Sequence, residues 1–97
     1  MKTKEEILKI LKSKKGFLKK KYKVKNIALF GSYVRGENRP TSDIDILVEF
    51  YEPISLLKFI ELENYLSGIL GTKVDLVVKS ALKKNVRKQV LQEMLEV

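Results

Sequence analysis

LFGSYVRGENRPTSDIDILVEF, residues 29–50, decides how the rest of the chain is read. An apolar run stops at Gly31, Ser32 follows, and eleven residues beyond that Ser a second apolar run carries Asp43 and Asp45, one residue apart. Successive side chains of a strand point to opposite faces, so Asp43 and Asp45 share one face while Ile44, Ile46 and Val48 share the other. Two strand rises put the two Cβ atoms about 7 Å apart, and aspartate is depleted in strands. A positive charge belongs between them, and hard divalent cations such as Mg²⁺ take carboxylate oxygens together with substrate phosphates.

Outward from that stretch the pattern alternates. Thr3 and Glu6 have capping-box spacing, and Ile7, Leu8, Leu11 and Leu18 recur at helical intervals, predicting a first helix that is broken or loosened near Gly16. VKNIALF (24–30) reads as a buried strand, SYVRGE (32–37) as a short helical piece, and DIDILVEF (43–50) as a second strand. Ser55 introduces the helix LLKFIELENYLSGIL (56–70), which Gly71 ends. TKVDLVV (72–78) is a third strand, and Ser80 begins a last helix with Leu82, Val86, Val90 and Met94 four apart. The order αβαβαβα without repeat or linker predicts one α/β domain over residues 1–97, a three-stranded sheet flanked by helices.

Composition narrows the chemistry. The chain has 97 residues and neither cysteine nor histidine, which removes thiolate nucleophiles, imidazole bases and the usual zinc ligands. Any catalysis runs on carboxylates, hydroxyls, lysines and backbone amides. The net charge of +8 is local: residues 1–25 hold 11 Lys against two Glu, whereas residues 26–97 hold nine Lys and Arg against ten acids. A solvated helix face accounts for that excess, with docking to an acidic partner as the alternative and nucleic acid as a minor one, because only Phe17 and Tyr22 interleave the basic stretch. No run approaches the ~20 apolar residues of a membrane span, and no secretory signal is recognisable, so a cytoplasmic location without membrane attachment is expected.

Asp75, inside VDLVV, adds a third acid from an apolar strand, and three carboxylates on neighbouring strands suit two metal ions about 4 Å apart. Gly31 lets the chain turn after Phe30, and the free amides that follow suit a phosphate. Ser32 serves either as a helix cap or as a phosphate ligand. Gly31 and Gly36 have P-loop spacing, but Glu37 and Asn38 stand where Lys and Ser or Thr are needed, so that reading fails.

GSYVRGENRPTSDIDILV resembles the signature of the DNA polymerase β-like nucleotidyltransferases, and in detail their minimal nucleotidyltransferase branch, GS-x-x-RG followed by SD-x-D; KVDLVV resembles the branch's third acidic strand. The resemblance covers nearly the whole chain and implies a small mixed sheet flanked by helices. It implies that Asp43, Asp45 and Asp75 are catalytic and bind Mg²⁺, two ions, with a nucleoside triphosphate, ATP, whose phosphates are held at Gly31 and Ser32. Arg35, matching the branch's RG, either contacts phosphate or pairs with an acid of the loop. Small proteins of this branch resemble antitoxins that transfer AMP from ATP to a tyrosine of a partner HEPN-domain ribonuclease toxin. Larger relatives carry an extra acceptor-binding lobe, and with nothing after Val97 to build one, the acceptor is expected on another protein chain. The alternative is a non-catalytic module that neutralises its partner by contact.

Overall fold

The computed structural model describes residues 2–97. Helix α1 spans Lys4–Tyr22 and opens with the complete capping box: the Thr3 hydroxyl accepts from the Glu6 amide while the Glu6 carboxylate accepts from the Thr3 amide. It runs unbroken through Gly16, contrary to the sequence expectation. Gly16 is solvent-facing, and its cost of ~1 kcal/mol in a helix is outweighed by Ile7, Leu11, Leu18 and Tyr22, all buried on one side. Lys23 closes the helix in the left-handed conformation, φ 61°.

Strand β1 (Val24–Phe30) leads through Gly31 into the single turn α2 (Ser32–Arg35). Strand β2 (Ile44–Phe50) follows the loop, in which the Ser42 hydroxyl accepts from the Arg39 amide at 2.8 Å. Helix α3 (Leu56–Leu70) has the expected limits: the Ser55 hydroxyl accepts from the Lys58 amide, and Gly71 turns left-handed at φ 67°. Strand β3 (Val74–Val78), a 3₁₀ turn (Lys79–Ala81) and helix α4 (Lys84–Glu93) complete the expected elements. The last helix starts later than Ser80 and stops before Met94, and a further strand, β4 (Leu95–Glu96), follows it.

The sheet therefore has four strands rather than three, in the order β3-β2-β1-β4. β1 is antiparallel to both β2 and β4, and β2 is parallel to β3, so the sheet is mixed. One face is the main core. Ile27, Leu29, Ile44, Ile46, Val48 and Leu76 pack there with the buried stripes of α1 and of α3, the latter formed by Leu62, Leu66 and Leu70. The opposite face is only partly covered: Ala28 and Leu47 meet Val90 of α4, with Phe30, Val77, Leu91 and Met94 around them. That incomplete cover leaves polar residues one row beyond Leu47 room to face solvent. No helix among the described residues is long and apolar enough to cross a membrane.

Candidate active site

Asp45 lies in the row just beyond the α4 cover. In the β-sheet register it stands between Phe30 of β1 and Asp75 of β3, so Asp45 and Asp75 are direct neighbours on one face. Asp43 lies immediately before β2 and alternates with fully buried Ile44, which keeps its carboxylate with that of Asp45. Its nearest cation is the exposed Lys73, Nζ 4.0 Å from Oδ2. Asp45 is half-buried, Asp75 exposed. The sequence-predicted acids are thus brought to one end of one sheet face.

Burial and like charge act together on Asp45. Its pKa is pushed up to about 6, chiefly by burial and then by the neighbouring Asp75 and Asp43 carboxylates; Arg35 opposes the shift. Among the described residues no three acids converge tightly enough to enclose a metal ion by themselves. The donor set nevertheless fits a hard cation: it is all carboxylate, open on its outer side, and crowded enough that Asp45 resists ionising without added positive charge.

Gly31 packs against this cluster. Its backbone is at φ 80°, ψ −153°, a conformation essentially reserved for glycine. A Cβ placed there would fall onto the Asp45 carboxylate, 2.9 Å from Cγ. Gly31, not Ser32, occupies the cap position of α2, and no side chain caps that turn. Of the two roles open to Ser32, capping is therefore not the one this geometry uses.

Arg35 pairs as the structural alternative has it, and with one partner more. Its Nε donates to the Glu37 carboxylate at 2.6 Å, and its Nη1 donates to both oxygens of Glu93 at 3.0 and 3.2 Å. Both acids hold the guanidinium more firmly in its charged form. Glu93 also accepts from the Gly31 amide at 3.2 Å. Sequence reasoning did not single out Glu93. It is the last residue of an amphipathic helix, 58 positions from Arg35 and 62 from Gly31, and no local pattern signals a contact so distant in the chain.

Comparison with known proteins identifies the family of the chain. Residues 5–97 match the family model of the nucleotidyltransferase domain. The chain is 59% identical over 93 residues to a relative from Methanocaldococcus jannaschii, covering 96% of this chain and 95% of that one. It is 55% identical over 97 residues to the protein adenylyltransferase MntA of Thermococcus cleftensis, covering 100% of this chain and 98% of the other. Among solved structures, the toxin-antitoxin with AMP-PNP superposes with a TM-score of 0.69 at 29% identity, covering 95% of this chain and 69% of that one. The complex of the tri-AMPylated Shewanella oneidensis HEPN toxin with MNT antitoxin gives a TM-score of 0.60 at 27% identity, over 95% of this chain and 66% of that one. A mixed sheet that gathers three acids beside a Gly-Ser turn, matched by the family model over nearly its whole length, belongs to the nucleotidyltransferase domain family.

Proposed function

We propose that this protein is an antitoxin of the adenylyltransferase kind, moving AMP from ATP to a tyrosine hydroxyl of a partner HEPN-type toxin in the cytoplasm. The observation that carries the proposal is the pairing of Asp45 with Asp75 across β2 and β3, with Asp43 on the same face and the Gly31-Ser32 turn against Asp45. The adenylyltransferase name of the Thermococcus cleftensis relative and the AMPylated HEPN toxin held by a structural neighbour support the choice of nucleotide and acceptor.

In this reading Asp43, Asp45 and Asp75 would hold magnesium, two ions, together with the triphosphate, and the metal would supply charge neutralisation of the phosphates and acidity to the attacking hydroxyl. The Ser32 hydroxyl and the turn amides after Gly31 orient the phosphates. The tyrosine oxygen forms a bond to the α-phosphorus, the bond from that phosphorus to the bridging oxygen breaks, and pyrophosphate leaves. Asp75, the most exposed of the three acids, takes the phenolic proton, since the chain has no histidine to do so. Arg35, already paired with two carboxylates, braces the loop rather than the phosphates.

The test is co-incubation with labelled ATP, Mg²⁺ and the product of the adjacent gene, followed by mass spectrometry of that partner. AMP on a tyrosine, absent with Asp43→Asn, is expected. A partner that is inhibited but unmodified would replace catalysis with neutralisation by contact.

A further inference from the structure

We propose that Glu93 is a positioning residue for nucleotidyl transfer, acting through Gly31 and Arg35 to fix the turn against which the Asp45 carboxylate is packed. The inference rests on the nucleotidyltransferase reading and names a residue from outside the Gly-Ser and Asp-x-Asp stretch.

Three hydrogen bonds converge on this one carboxylate: one from the Gly31 amide and two from Arg35 Nη1, which reaches both oxygens. A carboxylate with both oxygens so engaged is poorly placed to take a proton from an acceptor, so its work is structural control of the site. The Gly31 amide has the Glu93 carboxylate as its partner. Its carbonyl, in turn, accepts from Val34 and Arg35, closing the single turn of α2. Gly31 is buried, and an amide left unpaired there is penalised, which lets the turn move. Any movement of Gly31 opens or closes the space beside the Asp45 carboxylate, because their contact has no slack.

Glu93 is itself held from both sides. Val90, one turn earlier on α4, is buried against Ala28 and Leu47. Just after Glu93, Leu95 and Glu96 pair with Leu29 and Ala28 of β1, and the Val97 amide donates to the Ile27 carbonyl at 3.0 Å. The α4–β4 segment thereby carries the carboxylate to the Gly31 turn between two anchored points. Its side chain is 17% exposed, against 41% for Arg35.

Glu93→Ala, Glu93→Gln and Leu11→Ala separate this role from general stability. Leu11→Ala removes packing from the core on the opposite face of the sheet without touching Glu93 or its supports, and all variants are assayed well below their melting temperatures. Glu93→Ala is expected to lower the single-turnover rate at saturating ATP at least ten-fold, while Leu11→Ala, destabilised to a similar or greater degree, keeps its rate. Glu93→Gln retains an acceptor for the Gly31 amide and is expected to recover most of the loss. Hydrogen exchange of the Gly31 amide gives a readout independent of transfer: at least ten-fold faster in Glu93→Ala and restored in Glu93→Gln. A wild-type rate in Glu93→Ala, or an equal loss in Leu11→Ala, overturns the proposal. If the wild type transfers nothing, the nucleotidyl transfer reading fails, and unchanged Gly31 exchange in Glu93→Ala then removes the positioning contact as well.

Discussion

The α-carbon of Gly31 and the carboxylate of Asp45 are in contact so close that the smallest side chain cannot be placed between them. The turn that ends β1 and the acid on β2 are therefore one unit, and the unit depends on a glycine at φ 80°, ψ −153°. Gly31→Ala meets two penalties, backbone strain of about 1–3 kcal/mol and overlap with Asp45. We expect a loss of about 2–4 kcal/mol in stability by chemical denaturation, and loss of transfer even where the protein remains folded. A variant melting with the wild type would mean that the turn can relax without cost.

Asp45→Asn is expected to abolish transfer and to stabilise the metal-free fold at neutral pH. Folding raises the Asp45 pKa from 3.8 to about 6, so the folded state holds a proton that the unfolded chain releases. The charged form weakens the fold above that value, and stability is regained as pH falls from about 7 towards 5. Solvent screening of a half-exposed group reduces the effect to about 1 kcal/mol, or several degrees in melting temperature for a domain of this size. Below about pH 4.5 the trend reverses, because Glu6, Glu49 and Glu61 have lowered values and lose their hydrogen-bonded charge there. Thermal melts of both proteins from pH 7 to 5 check this: the gap should narrow with acid. An Asn variant less stable than the wild type at pH 7 without metal would refute the crowding account.

Much of this was legible in the sequence because it was written locally. Ser55 and Gly71 bracket α3 within one residue, and the Asp-x-Asp alternation alone puts the acids on the face opposite Ile44 and Ile46. What escaped was long-range or short. β4 has two residues, too few for a period-2 pattern, and the four-residue spacing from Leu82 to Met94 looks like one uninterrupted helix. Only Val90 of α4 is buried, so that spacing marks a loosely covered face rather than a core stripe. Gly16 misled for the opposite reason: a locally unfavourable residue was overruled by four buried neighbours along α1. Glu93 combines both difficulties, sitting at a helix end with partners half a chain away.

Ser32→Ala should weaken ATP binding with little change in melting temperature. The hydroxyl caps nothing in the folded chain, so its removal costs no helix stability. A hydrogen bond to a charged phosphate contributes about 1.5–3 kcal/mol, or roughly a ten- to hundred-fold loss of affinity by calorimetry. Unchanged affinity would remove Ser32 from the phosphate site.

Asp75→Asn is expected to slow the chemical step more than it weakens ATP binding. Asp75 is on the edge strand of the sheet, exposed, and in direct register with Asp45. An exposed acid on the edge strand is the one an incoming hydroxyl can approach, whereas Asp45 is closed in by Gly31 on one side. Neutralising Asp75 also relieves Asp45 of the largest of its three repulsive carboxylate neighbours, Asp75, Asp43 and Glu93, so Asp45 ionises more readily and its hold on metal and triphosphate is retained. The loss then falls on proton removal from the acceptor. Single-turnover transfer and equilibrium binding of ATP with Mg²⁺, measured on the same variant, distinguish the two effects. We expect a rate reduction of at least ten-fold with affinity changed less than about three-fold. Loss of affinity with an intact single-turnover rate would make Asp75 a ligand alone and leave the proton to water or to the acceptor's own surroundings.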